Sequence, residues 1–182
     1  PAINVNPEDP AANPAALDIS ENTFDVSAAA LSVDSSNYDQ GNSNVTISGN
    51  SDITVAGGNT AIDITDSSNQ VTISQNDIEG DGTGGSSGIS LAGGADFDIT
   101  SGSINNTETG VNIASSGDFV NITGTSVTNS GSKAIDLTGT DTDVTIDGGL
   151  TINQAPTGIE IDVSGGTNTV DLNNININGT TD

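Results

Sequence analysis

The sequence predicts an all-β fold in which the chain winds into a solenoid of short, stacked strands. Three observations predict this fold: short apolar patterns recur in a fixed order, their period is about 24 residues, and each pattern alternates apolar with polar residues. Because successive side chains of a strand point to opposite faces, the alternation predicts strands with one buried face. Gly, Asn, Asp, Ser and Thr, which tolerate tight turns, separate the patterns.

Each repeat contains three strand patterns. The first pattern reads, for example, AIDIT at residues 61–65, and its leading aliphatic residues are Ile62, Ile89, Val111, Ile135 and Ile159. The second pattern is led by Val45, Val71, Phe97, Val120, Val144 and Val170. The third and weakest pattern is led by Ile53, Ile78, Ile104, Val127, Ile152 and Ile175.

Strands of three to five residues are too short to form a stable hairpin sheet by themselves. Stacked coil on coil, each strand pairs with its equivalents above and below, and the inward aliphatic residues form continuous columns. About six inward aliphatic residues per coil, each stabilising by ~1.5–3 kcal/mol when fully buried, offset the entropy cost of ordering the chain. The periodicity therefore predicts a folded chain despite its high charge.

On these repeats the chain resembles the right-handed parallel β-helices of the pectate-lyase-like superfamily. The resemblance covers about residues 44–180, and more loosely residues 15–43. It implies three short parallel sheets and points to no particular protein of the superfamily, and the repeats themselves predict about seven coils. Residues 1–16, which hold four of the five prolines, are predicted to be an extended N-terminal arm, and residues 17–182 the solenoid domain.

The composition excludes several classes of function. One Lys or Arg stands against 25 Asp and Glu, which gives a net charge of −24, so nothing neutralises the phosphates of a nucleic acid. No apolar run approaches the ~18 residues that span a bilayer, and we expect no membrane insertion. The absence of Cys and His removes thiol nucleophiles, disulfides, structural zinc and His-based triads.

An enzyme is therefore not expected, although two acidic residues bear on this point. Asp136 and Glu160 occupy the same outward position on adjacent coils, and retaining glycosidases use two carboxylates ~5 Å apart. A flat sheet face offers no cleft for a sugar, and we interpret Lys133, the one basic residue, as a solvated turn residue. A polysaccharide-active enzyme remains the third alternative.

Two polar motifs predict sites. Asp77, Glu79 and Asp81 resemble the opening of a calcium loop, although residue 88 is Gly where the closing Glu of an EF-hand would stand; the alternative is a solvated acidic turn. Asn residues recur six positions before three successive strands of the first type, and because β-helices of this superfamily often stack inward-facing Asn at one turn, the resemblance implies an inward-facing ladder, with an exposed polar turn as the alternative. The predicted ladder residues are Asn105, Asn129 and Asn153.

The two ends of the chain predict self-assembly. The C-terminal NININGTTD continues the repeat with no capping helix after it, and an uncapped coil is a template for another strand. An arm at one end and an open coil at the other favour a head-to-tail homopolymer; a segment cut from a longer solenoid is the alternative. The predicted assembly residues are Pro1, Ile3, Val5, Ile175 and Ile177.

These expectations together predict a non-enzymatic structural subunit of an extracellular filament or surface fibre. A chain that begins at Pro1, without an initiator Met, is expected to be a mature secreted chain. The second candidate is a β-helical segment of a surface adhesin or passenger domain that binds carbohydrate or a host surface. No cofactor is required by these expectations, and calcium at the acidic motif of residues 77–81 is the one candidate.

Overall fold

The computed structural model is a parallel β-solenoid, as the repeats predict. It describes residues 2–5, 17–24, 30–34, 44–67, 70–93, 96–116, 119–140, 142–165 and 168–179. All strand pairs in these ranges are parallel. The same ranges contain no helix, and so none that is long and apolar enough to cross a membrane.

The strands, in chain order, are β1 (Ile3–Val5), β2 (Leu17–Ser20), β3 (Leu31–Asp34), β4 (Val45–Ser48), β5 (Ile53–Val55), β6 (Thr60–Ser67), β7 (Val71–Gly80), β8 (Ser87–Gly93), β9 (Phe97–Asn105), β10 (Thr109–Ser116), β11 (Phe119–Thr128), β12 (Lys133–Thr140), β13 (Asp143–Asp147), β14 (Thr151–Asn153), β15 (Thr157–Ser164), β16 (Val170–Leu172) and β17 (Asn176–Asn178). The first sheet has the order β1-β3-β6-β8-β10-β12-β15. The second sheet has the order β16-β13-β11-β9-β7-β4-β2 and also contains β5, β14 and β17.

The predicted aliphatic columns are confirmed. Ile62 pairs with Ile89, and the same register continues through Val111, Ile135 and Ile159. The second column runs in register from Val45 to Val170 and is extended by Leu17 at its start. Side chains in the middle of both columns are fully buried and form one continuous hydrophobic core.

The third column differs from the prediction at its last member. Ile177, not Ile175, pairs with Ile152, because β17 begins at Asn176. Ile175 instead packs, partly buried, against the core beside the strand.

Hydrogen bonding joins the second and third predicted strand types into one sheet. The strands β7, β9 and β11 run through a corner without a break, and each bends at a residue with positive φ: Gln75 (55°), Ser101 (52°) and Gly124 (63°). A single residue in the left-handed conformation changes the direction of the strand, while the backbone hydrogen bonds to the neighbouring strands continue on both sides of the corner. The three strand types thus lie on three faces of the coil but form two hydrogen-bonded sheets.

The solenoid makes about five turns, fewer than the seven coils expected. Five turns separate Val45 from Val170, the span in which the second pattern recurs regularly. Each sheet path nevertheless has seven strands. In the second sheet, β2 lies before the span that starts at Val45, and the first sheet already begins at β1.

Part of the predicted N-terminal arm belongs to the solenoid. Ile3 and Val5 alternate with a polar residue, and β1 pairs with β3 of the same chain. Pro1 and residues 6–16 of the predicted arm, and residues 180–182 at the other end, lie outside the described residues.

Candidate functional site at the terminal coils

The C-terminal coil exposes the aliphatic residues that earlier coils bury. Val170, Leu172 and Ile177 are 43%, 46% and 44% exposed, whereas their equivalents one turn earlier are buried. In the part of the chain that the structure describes, β15, β16 and β17 each pair on one side only. The last coil therefore presents unpaired backbone groups together with apolar side chains.

The N-terminal coil is open in the same way. Among the described strands, β1 pairs only with β3, and β2 only with β4. Ile3, Val5 and Leu17 are half-buried against the core, because nothing covers their outer side in the described residues. Of the predicted assembly residues, the structure thus places Ile3 and Val5 at one end and Ile175 and Ile177 at the other.

An asparagine ladder that was not predicted from the sequence starts at this N-terminal end, exposed at Asn22 and buried at Asn50 and Asn76. Asn22 Nδ2 donates to Asn50 Oδ1 at 3.1 Å, and Asn50 Nδ2 donates to Asn76 Oδ1 at 2.8 Å. The backbone N–H groups of Asn22 and Asn50 donate to the same two acceptors, at 3.0 and 3.2 Å. The remaining amide hydrogens of Asn50 and Asn76 bond the carbonyl oxygens of Ile19 and Ile47.

The signal for this ladder is the recurring sequence Ile-Ser-x-Asn after the second strand type, at residues 19–22, 47–50 and 73–76. The x residue adopts the left-handed corner conformation, and the Asn then points inward. The ladder ends at Gly102, where a Cβ atom would lie 2.7 Å from the carbonyl oxygen of Asn76.

The predicted inward ladder of Asn105, Asn129 and Asn153 is wrong. Asn129 is exposed and the other two are half-buried. Asn129 Nδ2 donates to Asn105 Oδ1 at 3.2 Å, and Asn153 accepts from Asn178 at 3.3 Å, so two separate surface pairs form. The physical reason is register: Thr128, not Asn129, pairs with both Asn105 and Asn153, and Asn129 occupies a left-handed corner (φ 55°).

Acidic residues on the solenoid surface face hydrogen-bond donors on the adjacent coil. Asp77 accepts a hydrogen bond from Ser103, and Glu79 accepts one from Asn105 at 2.8 Å. Asp98 likewise accepts from Asn121 at 2.8 Å. Interleaving carboxylates with hydroxyl and amide groups keeps negative charges apart and stabilises each one.

The predicted calcium ligands are therefore engaged separately. Asp81 accepts from Thr83 Oγ1 at 2.6 Å, from Thr83 N at 2.9 Å and from Gly57 N at 3.2 Å, and the Thr83 hydroxyl is the main cause that lowers the pKa of Asp81. Within the described ranges, no group of three or more acidic side chains is placed to hold a metal ion. Asp77, Glu79 and Asp81 are not assembled into one site.

One pair of carboxylates does stack directly. Asp136 pairs in register with Glu160, as predicted, and no other acidic residues are partnered with each other in the described strand pairings. Lys133 lies at this pair, with Nζ 2.8 Å from Asp136 Oδ2 and 3.4 Å from Glu160 Oε1. The hydrogen bond to Asp136 is the main cause that raises the pKa of Lys133. Lys133 is thus an ion-paired residue and not the solvated turn residue expected.

Replacing Lys133 by Gln is expected to lower the melting temperature, with a larger loss at low ionic strength, because Asp136 and Glu160 then repel without a counter-charge. Thermal unfolding at about 10 and 500 mM salt measures the effect. The same Lys133→Gln change in a Glu160→Gln background is the control, and its loss should be smaller and less dependent on salt. Equal losses in the two backgrounds would contradict this role of Lys133.

Replacing Asp63 by Asn is expected to stabilise the fold slightly at pH 7, by about 0.5 kcal/mol or less. Partial burial raises the pKa of Asp63, and a hydrogen bond with Ser90 opposes the shift. The folded state therefore binds the proton more tightly than the unfolded state, so the charged carboxylate costs stability above its folded pKa. Urea unfolding between pH 7 and pH 3 should show the gain disappear as the wild-type Asp63 becomes protonated.

A shallow groove of about 350 Å³ lies on the C-terminal part of the first sheet. Small residues at successive rungs leave the space, and hydroxyl groups with one carboxylate line it: Ala114, Thr138, Gly139, Thr140, Asp162 and Ser164. Such a lining can exchange hydrogen bonds with the hydroxyl groups of a sugar.

Comparison of the chain with protein-family models, with curated proteins and with solved structures finds no match.

Proposed function

We propose that the protein is a non-enzymatic structural subunit of an extracellular filament or surface fibre, and that it assembles head to tail. The observation that carries the proposal is the C-terminal coil, where Val170, Leu172 and Ile177 are exposed beside unpaired strand edges. An open edge with exposed aliphatic residues is a template for a further parallel strand.

The physics of the two ends favours a polymer over a closed dimer. The exposed ends differ from each other, so contact between them is heterologous, and a heterologous contact whose rotation does not close gives a filament. The chain carries a net charge of −24, which keeps filaments apart laterally and soluble. Growth along the axis is therefore the favoured direction of association.

Replacing Leu172 by Asn is expected to weaken self-association at least tenfold, because it removes an exposed aliphatic side chain from the centre of the contact. Light scattering and negative-stain microscopy of the full chain over a concentration series measure the effect. The matched control is Phe119→Asn, since Phe119 is equally exposed (43%) but lies on the side of the solenoid. Equal association of both variants, or a wild-type chain that stays monomeric throughout, would refute assembly through this coil.

The second candidate is an adhesin segment that binds carbohydrate, and the hydroxyl-lined groove favours it. Asp162 is the one carboxylate of that groove and would accept hydrogen bonds from sugar hydroxyl groups. Binding of wild-type protein to immobilised glycans, lost in Asp162→Ala and kept in Leu172→Asn, supports this candidate. Binding that is unchanged in Asp162→Ala would exclude the groove.

A further inference from the structure

We propose that the C-terminal coil binds the N-terminal coil of a second copy in one defined register, which places β1 on β15 and β2 on β16. This inference rests on the proposed function and specifies its contact. The ends of the two sheet paths match, because β1 and β2 begin the same sheets that β15 and β16 end. Continuing both sheets across the contact keeps every strand pair parallel, as in the chain itself.

The apolar positions fit this register. Ile3 and Val5 would lie over Ile159 and Ile161, which are half-buried at the open end of the first sheet. In the second sheet, Leu17 would lie over Val170 and Ile19 over Leu172, so that both exposed aliphatic residues of β16 are covered. Each contact repeats the aliphatic-on-aliphatic stacking of the interior columns.

An unpaired acceptor of the asparagine ladder points to the same partner. Each ladder Oδ1 accepts the backbone N–H of the preceding coil's equivalent residue, but Asn22 Oδ1 accepts no hydrogen bond in the described part of the chain. Counted from the second strand type, the equivalent residue on the C-terminal coil is Ile175. The N–H of Ile175, which also has no hydrogen bond there, would donate to Asn22 Oδ1 of the second copy.

The polar positions of the two sheets make the register testable. Asn4 would lie over Glu160, an amide on a carboxylate, as Asn105 lies beside Glu79 within the chain. Asp18 would lie over Asp171, and both side chains are exposed. Within the described strand pairs, one acidic residue lies over another only at Asp136 and Glu160, where Lys133 is beside them. No Lys or Arg is available to lie beside Asp18 and Asp171. Association of the wild-type chain should therefore strengthen with ionic strength.

Charge exchange at Asp18 and Asp171 tests the register. Asp18→Lys and Asp171→Lys should each strengthen association about fivefold at 10–20 mM salt, because one lysine then faces one aspartate. The double variant should return close to the wild-type affinity, because two lysines then repel. The control is Asp98→Lys, which makes the same change in charge in the same column, in the middle of the solenoid.

The outcomes separate the register from the proposed function. Light scattering of the variants measures association, and circular dichroism confirms that each is folded. If the two single effects add in the double variant, or if Asp98→Lys strengthens association as much as the single variants do, then association occurs without this register. The inference then fails while the proposed function stands. If the wild-type chain and all variants remain monomeric at every ionic strength, both fail.

Discussion

Replacing Asn50 by Ala is expected to lower the free energy of unfolding by about 2–4 kcal/mol. The Asn50 side chain is buried and makes four hydrogen bonds, two as acceptor from Asn22 and two as donor to Asn76 and Ile19. The substitution leaves the carbonyl oxygen of the buried residue Ile19 without this partner, and an unsatisfied buried group costs its desolvation energy.

Urea unfolding followed by circular dichroism measures this loss as a shift in midpoint at constant slope. The matched control is Asn153→Ala, which removes one surface hydrogen bond from Asn178 and should cost less than about 1 kcal/mol. Losses of similar size at Asn50 and Asn153 would show that the inner ladder does not contribute more than an exposed amide pair.

Replacing Ile122 by Ala is expected to lower the free energy of unfolding by about 2–5 kcal/mol. Ile122 is fully buried in the middle of the second sheet, in register with Ile99 before it and Ile146 after it. The cavity interrupts the column on both sides, since each coil of a solenoid packs only against its two neighbours. The turns on either side of the cavity lose contacts together.

The control for this variant is Phe119→Ala on the same strand, where a large side chain is 43% exposed. Its expected cost is below about 1 kcal/mol, because little of its surface leaves water on folding. Equal destabilisation by the two substitutions, measured by urea unfolding, would contradict a dry interior column at Ile122.

Periodicity was sufficient to predict the stacked columns. Aliphatic residues that recur about every 24 positions and alternate with polar neighbours are explained by strands of successive coils stacked in register. The observed register from Ile62 to Ile159 agrees with this explanation. The same reasoning failed at Ile175, because both it and Ile177 alternate correctly and only the start of β17 decides between them.

The polar contacts could not be predicted in the same way. Because the chain is rich in Asn, equal spacing alone led to the prediction of Asn129 as a ladder residue, although Asn129 lies at a left-handed corner. The inward direction of Asn50 depends on the bend at Gly49 before it. Lys133 pairs with Asp136 three residues along the same strand, whereas its second contact, with Glu160 on the next coil, depends on how the coils stack. The motif at residues 77–81 resembled a calcium loop because its acids are close in sequence, but Asp77 and Glu79 each bond a donor on the next coil, and Asp81 lies beyond the end of the strand and bonds Thr83.

Electron cryomicroscopy of the full chain, concentrated at moderate ionic strength, tests the proposed end-to-end stacking most directly. We expect unbranched filaments whose power spectrum has a layer line near 4.8 Å and whose subunits repeat about every 34 Å, since the seven strands of each sheet path stack at a spacing of ~4.8 Å. Isolated particles about one subunit long at every concentration, or filaments in which the solenoid axes lie across the fibre, would contradict it.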